Sequence, residues 1–504
     1  MFMTISLPSS FLIDDFLNRI TMYRLVLYVL IFYVVVALVF SFFGLLPFSP
    51  ERLLISSGFI VGVSYGVNVF FSRIFRVATN GESVYITGLI LALIISPPAN
   101  ISGLAFLFWA AVVAMAAKFI LTVRRKHLFN PAALAVLVTA VFLGRAASWW
   151  VGTEVMLPFV AVGGFLVVRK LRRFDLVLSF LLTAMVTTVV LGVLGGAPLL
   201  TVISRTILNS AIVFFATVML TEPMTTPPAS GSRALYGLVV GFLAAPQVNL
   251  GGIYSSPELA LVVGNVFSFI VSPKGRFFLK LREKNQMAAD QWDFVFTPDQ
   301  KVRYLPGQYM EWTLGHQGVD GRGNRRYFTL ASSPSEEEIR LGVKFVPEGS
   351  SFKRALRQLP VGESLVAAQL AGEFTLSSDP QRKYVFLAGG IGITPFRSMI
   401  KFLLDSGQRR DIILFYLVRS EDEVVYREIF DRAKAEIGIK VEYVLSEKLG
   451  HLKAVIIAKE VADYQERYFY ISGSHSAVVA LEREVRSLGV PGRRIKKDFF
   501  PGYV

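Results

Sequence analysis

The sequence changes character near residue 273, from a strongly apolar half to a polar one, and this change limits the possible folds more than any other feature. Arg24 to Leu46 is an almost unbroken apolar run. It is long enough to cross a hydrocarbon layer of about 30 Å and too long for a signal-peptide core. Further apolar segments cover roughly residues 52–71, 83–96, 101–123, 128–143, 154–168, 175–196, 202–221, 233–249 and 255–272, which with the first makes ten expected spans. Residues 1–272 therefore read as a polytopic α-helical membrane bundle, and the mean hydropathy of +0.53 for the whole chain comes from this half.

With ten spans both termini lie on one side. Arg73, Arg76, Arg124, Arg125, Lys126, Arg169, Lys170, Arg172, Arg173, Arg233, Lys274 and Arg276 fall in loops on that side, against little beyond Arg52, Arg145 and Arg205 on the other. The positive-inside rule then puts both termini and the polar half in the cytoplasm, as parts of an integral protein of the cytoplasmic membrane. The net charge of +15 is absorbed by this role, so the expected partner is a lipid bilayer and not nucleic acid.

Cysteine is absent, which excludes disulfides, thiolate catalysis and thiolate-held iron–sulfur clusters. The four histidines are His127, His316, His451 and His475, and only the first is near the apolar half. A haem-based transmembrane reductase needs paired axial histidines on two helices, so no haem and no other metal centre is expected. Three stretches of the apolar half do carry polar side chains beside Gly or Pro: Asn80 to Pro98 with Thr87, His127 to Ala133 with Asn130, and Phe215 to Pro227 with Thr217, Thr221, Glu222 and Thr225. Such groups within a bilayer need a buried ligand or a protein partner, and helix packing with ordinary caps is the plainer alternative.

After a polar connector at 273–290, short alternating apolar runs separated by turn residues predict an antiparallel β-barrel over 291–380. Within it Arg326-Tyr327-Phe328-Thr329 sets a cation, a ring and a hydroxyl in a strand, where alternate residues share a face. Arg326 and Phe328 can then hold a phosphate and cover a planar ring while Thr329 meets the ring edge, as in a seat for a flavin dinucleotide. Tyr309, in Leu305-Pro306-Gly307-Gln308-Tyr309, and Tyr327 belong to the same candidate seat. Ser350 and Ser351 open a short helix and are either a phosphate site or plain caps. From 381 to 504 the pattern predicts a parallel α/β sheet, with Gly389, Gly390, Gly392 and Thr394 in a glycine-rich turn before a helix that begins at Pro395. At the end of the next strand Arg419 and Ser420 can clasp a 2′-phosphate, whereas Glu421 and Asp422 can accept from a free 2′-hydroxyl.

The run Arg326 to Pro334, with Leu305 to Tyr309 before it and Leu387 to Pro395 after it, resembles the ferredoxin-NADP reductase family over roughly residues 278–504. The resemblance implies FAD and NAD(P)H as cofactors. It gives Thr329 and Ser472 roles beside the reacting ring, Ser472 standing in Ser472-Gly473-Ser474-His475 where the family has Cys-Gly-Pro. It also implies that a terminal aromatic, Phe499, Phe500 or Tyr503, stacks on the flavin face and yields to the nicotinamide. The three polar stretches of the apolar half resemble the family of flavin-carrying membrane subunits shared by the Rnf electron-transport complex and the sodium-pumping NADH:quinone reductase. That likeness implies a flavin among the helices, with Thr87, Asn130, Thr217, Thr221, Glu222 and Thr225 as its contacts. The family's Ser-Gly-Ala-Thr attachment run has no counterpart between Leu194 and Asn209, so FMN or riboflavin held without a covalent bond is expected.

The function expected is a membrane NAD(P)H-dependent flavin oxidoreductase that passes electrons through FAD to a membrane flavin and on to a quinone or an acceptor on the far face. The alternatives are a redox-driven ion pump or transporter subunit and a membrane-tethered cytoplasmic flavin reductase.

Overall fold

The computed structural model describes residues 16–17, 20–75, 81–123, 126–271, 275–320, 323–347 and 349–499. They form two compact units that divide between Gly275 and Arg276.

The first unit has helical segments at each place where a span is expected: Met22–Phe42, Pro50–Phe75, Gly81–Ile94, Ile101–Ile120, Pro131–Leu143, Leu157–Leu171, Phe174–Leu194, Leu199–Leu208 with Ile212–Met219, Ser230–Leu243 and Pro257–Val271. Among the described residues four helices can cross a membrane alone by length and composition: Met22–Phe42, Pro50–Phe75, Gly103–Ile120 and Phe174–Leu194. Leu199–Leu208 and Ile212–Met219 add a fifth if the pair, bent by 57°, counts as one. Caps cut several of the expected runs short. Asn130 accepts from the Ala132 and Ala133 amides to start one helix, and Gly144, at φ +61°, stops it after Leu143. Residues 215–219 wind as a π-helix, a local widening of the helical turn.

Packing follows the small residues. A Cβ on Gly237 would lie 2.1 Å from Ser179 Oγ and 2.8 Å from Leu176 O, so helices Ser230–Leu243 and Phe174–Leu194 meet at backbone distance there. On the latter helix Leu178, Leu182, Val186 and Val190, spaced by four residues, are all exposed. In water an apolar stripe of this kind is buried, and in a bilayer it is the face that meets lipid. The membrane association expected from the sequence is supported by these helices.

The second unit has two sheets. The first contains β1 (Arg276–Gln286), β2 (Gln291–Pro298), β3 (Tyr309–Thr313), β4 (Arg325–Thr329), β5 (Ile339–Lys344) and β6 (Ser364–Ala371), antiparallel in the order β4-β3-β6-β1-β2-β5. Here the expected connector is corrected, for β1 is the longest strand of the sheet and lies at its centre. Its charges, among them Lys280, Arg282 and Lys284, hid a strand whose Leu279 and Leu281 are fully buried. The expected barrel is a curled sheet whose end strands are linked just past β4, where Ala331 N donates to Arg340 O at 2.9 Å. Helix α1 (Ser351–Gln358) follows β5.

The second sheet is parallel, in the order β9-β8-β7-β10-β11, with β7 (Tyr384–Gly389), β8 (Ile412–Val418), β9 (Lys440–Leu445), β10 (Tyr468–Ser472) and β11 (Ile495–Asp498). Helix α2 (Thr394–Asp405) follows β7, α3 (Arg427–Ile437) follows β8, and α4 (His475–Ser487) follows β10. Tyr384 to Ala388 are fully buried, as a central strand covered on both faces requires.

Candidate functional site

Strand order reverses between β7 and β10, and in an open parallel sheet the crevice beyond the C-terminal ends of such strands is where ligands bind. Here β7 ends in the turn Gly389 to Ile393, β10 ends at Ser472 and β11 ends at Asp498, with Ala388 paired to Ser472 and Ser472 to Asp498. Gly390 has φ +52°, and a Cβ on it would meet nothing within 4 Å, so the turn is open on that side. Gly392 does the opposite job. A Cβ there would lie 2.5 Å from Gly473 N, Gly473 Cα and Ser472 O, so the turn lies flush on the end of β10. Thr394 starts α2 with its hydroxyl donating to Ile391 O at 3.3 Å.

Strand β4 faces this crevice. Thr329 Oγ1 donates to Asp498 Oδ2 at 3.1 Å, across 169 residues of sequence, which joins the first sheet to the end of the second. Thr329 and Ser472 are both buried. Arg326 and Phe328 share one face of β4, as alternation requires: the guanidinium lies 5.5 Å from the Phe352 ring centre and the Phe328 ring 5.9 Å from it. Arg326 Nη1 also donates to Gly323 O and Arg325 O. On the other face the Tyr327 ring stands edge-on to Tyr309 at 5.7 Å, and its hydroxyl donates to Glu311 Oε2 at 3.0 Å. Ser350 caps α1 through the Lys353 amide, and the Ser351 amide donates to Asp320 Oδ2 at 2.8 Å. Both serines stand at the start of α1, as either reading of them requires. Arg419 is exposed, and its backbone N–H donates to Glu423, while Glu421 pairs with Arg427. A hydrogen bond from Ser420 holds the Asp422 carboxyl below its ordinary range. Phe500 and Tyr503 lie outside the described residues, and Phe499 packs against the His475 ring at 4.8 Å.

The two sheets are joined by buried charge. Arg397 on α2 makes two hydrogen bonds to Glu336, at 2.5 and 2.9 Å, and one to Ala331 O at 2.8 Å. Burial pushes the Glu336 carboxyl up, but the Arg397 hydrogen bonds and charge outweigh it and leave the group below its usual range. Tyr426 donates to Asp293 Oδ1 at 2.9 Å, and Arg340 donates to Asp293 Oδ2 at 2.6 Å. Burial, reinforced by the Asp293 charge, pushes the Tyr426 hydroxyl far up, so it stays a donor. None of Asp293, Glu336, Arg397, Tyr426 or Asp498 stands in a motif, and no local sequence signal marked them.

In the first unit the polar stretches meet in part. His127 Nε2 lies 3.1 Å from Glu222 Oε1, and Thr225 donates to Glu222 Oε2 at 3.1 Å. Asn130 N donates to Asn265 Oδ1 at 2.7 Å, and Asn265 Nδ2 donates to Tyr236 Oη at 3.0 Å. A small cleft beside them is lined by His127, Thr225, Asn265 and Ser268. Thr87, Thr217 and Thr221 each donate to the carbonyl four residues earlier. Lys118, which no motif marks, donates to Ser83 O and Oγ at 2.8 and 3.1 Å and ties the first polar stretch to its neighbour.

Residues 278–375 match the oxidoreductase FAD-binding domain family and residues 386–476 the oxidoreductase NAD-binding domain family. The glycine betaine monooxygenase reductase subunit of Chromohalobacter salexigens is 26% identical over 217 residues, which are 40% of this chain and 58% of that protein. The flavohemoprotein of Pseudomonas putida is 26% identical over 239 residues, 45% of this chain and 59% of that one. The chain thus spans less than two thirds of the length of these curated relatives. A solved structure of the FAD/NAD-binding domain of a nitric oxide dioxygenase from Vibrio cholerae covers 44% of this chain and 97% of its own at 22% identity and a TM-score of 0.39.

Proposed function

From a C-terminal half that is an FAD- and NAD-binding oxidoreductase module of the ferredoxin-NADP reductase type, we propose that the whole chain is a membrane-bound NAD(P)H-dependent flavoprotein oxidoreductase. The observation that carries the reading is the junction of β4 with the ends of β7, β10 and β11, where Thr329, Asp498, Ser472 and the open side of Gly390 converge.

The residues present fit both cofactors. Arg326 offers a buried cation to a flavin diphosphate, Phe328 and Tyr309 offer rings, and the Gly390 side of the turn has room for a second diphosphate at the backbone. When bound, FAD supplies an acceptor for hydride from the nicotinamide and a donor of electrons to the next carrier. The protein contributes position. Thr329 holds its hydroxyl between β4 and the Asp498 carboxylate, with the proton committed to Asp498 and the oxygen fixed as an acceptor. Ser472 closes the floor under Gly392, and Arg397 with Glu336 keeps the crevice at fixed width. In the first unit Asn130, Glu222 and Thr225, with His127 and Asn265, are the groups suited to a second flavin held without a covalent bond; Thr87, Thr217 and Thr221 keep only acceptor capacity. Electrons then leave to a quinone or to an acceptor on the far face, with the termini cytoplasmic.

The test is flavin stoichiometry in the detergent-purified full chain. Acid precipitation should release FAD together with FMN or riboflavin, and Arg326→Ala should lose only the FAD. The loss expected is about 1.5–3 kcal/mol of binding, the worth of a charged hydrogen bond. Release of FAD alone would refute the membrane flavin and leave a tethered reductase.

A further inference from the structure

The loop between β3 and β4 carries an acid for which the FAD reading has no use. Asp320 and Ser351 are paired reciprocally: Ser351 N donates to Asp320 Oδ2 at 2.8 Å, and Asp320 N donates to Ser351 Oγ at 3.0 Å. His316 completes the arrangement, with Nδ1 2.9 Å from Leu314 O and Nε2 3.0 Å from Ser351 Oγ. A carbonyl only accepts, so Nδ1 carries a proton, and in the neutral ring Nε2 accepts from the serine hydroxyl. Asp320 Oδ1 lies 4.0 Å from Arg326 Nη2. The carboxylate therefore sits between the first amides of α1 and a buried guanidinium, an arrangement of donors that suits a phosphate.

We propose that Asp320 is an internal stand-in for the FAD pyrophosphate, seated when the flavin is away and displaced when it binds, so that FAD is held exchangeably. The proposal rests on the FAD reading of Arg326 and on the phosphate reading of Ser350 and Ser351 at the start of α1. Its physical basis is competition. The Ser351 amide has one proton to donate, and a second anion brought to the same guanidinium would meet the Asp320 charge at close range. Displacement costs the reciprocal pair with Ser351, and that cost is subtracted from FAD affinity.

The experiment uses the full chain in detergent, stripped of flavin with concentrated salt and titrated with FAD by fluorescence quenching. Asp320→Asn keeps the shape and an acceptor for Ser351 but removes the charge, and it should bind FAD about ten-fold tighter than the wild type, with a slower off-rate. Asp320→Ala should do the same. The flavin-free variants should also melt below flavin-free wild type, because α1 loses the anion at its start, whereas the FAD-loaded proteins should melt together. Equal or weaker FAD binding by both variants, in a wild type that binds FAD, overturns the Asp320 proposal and leaves the FAD reading standing. A wild type that binds no FAD under any of these conditions overturns both.

Discussion

Gly390→Val separates the two jobs that glycine does in the turn after β7. Gly390 is in the left-handed region at φ +52°, and its missing side chain faces open space. A side chain in that conformation costs about 1–2 kcal/mol. Set against a folding stability of about 5–15 kcal/mol, this is tolerable, so the variant should fold and keep FAD. The valine methyls nonetheless fill the open side of the turn, the side that the proposed function gives to the dinucleotide. Losing one such charge-assisted hydrogen bond, worth about 1.5–3 kcal/mol, should raise the NADH or NADPH concentration needed for half-maximal flavin reduction by about ten-fold or more at 1.4 kcal/mol per decade. The assay is bleaching of the flavin band by either nucleotide in the detergent-purified full chain, with dithionite as a reductant that bypasses the site. Gly392→Ala is the contrast. Its Cβ would overlap the Gly473 backbone at 2.5 Å, so it should lower yield and melting temperature. Wild-type half-saturation in Gly390→Val with both nucleotides would refute the nucleotide assignment, and unfolding equal to that of Gly392→Ala would refute the strain argument.

Thr329→Val deletes the hydroxyl that donates to Asp498 and should slow flavin reduction by NAD(P)H about ten-fold while FAD stays bound; an unchanged rate would remove this hydroxyl from the reaction. Glu336 has a depressed folded-state pKa, so its stabilisation is present above the unfolded value of about 4.3 and is lost as pH falls through the folded value. Melting temperatures of wild type and Glu336→Gln should accordingly differ at neutral pH and draw together under acid, and a gap that widens as pH falls below about 4 would mean that the folded carboxyl is raised and not depressed. Gly237→Val would push helix Ser230–Leu243 off Phe174–Leu194 and should lower the melting temperature of the chain in detergent; an unchanged melting temperature would show that the helices are not in backbone contact.

The helix positions were legible because an apolar run is a local signal, and so was the turn after β7, whose glycines are close together in sequence. Strand β1 was not, since charges on its outer face masked Leu279 and Leu281. The membrane threonines differ in another way. A hydroxyl in a helix can satisfy itself on the preceding turn, and sequence does not reveal whether it does. Asp498, Glu336 and Asp320 were invisible for a third reason. Each acts on a partner distant in the chain, across 169 residues for Asp498 and 61 for Glu336, and only the fold brings them together.

The charged joint between the sheets also sets the unit in which this module can be inherited or exchanged. A crossover between β6 and β7 would leave Arg397 and Tyr426 on one parent and Glu336 and Asp293 on the other. A chimera whose second parent lacked their counterparts would bury a guanidinium without its carboxylate, at a cost of about 3–5 kcal/mol. Recombination is therefore expected to move residues 276–499 as one block, and a designer who grafts a different nucleotide sheet onto this flavin sheet has to carry the four residues across together.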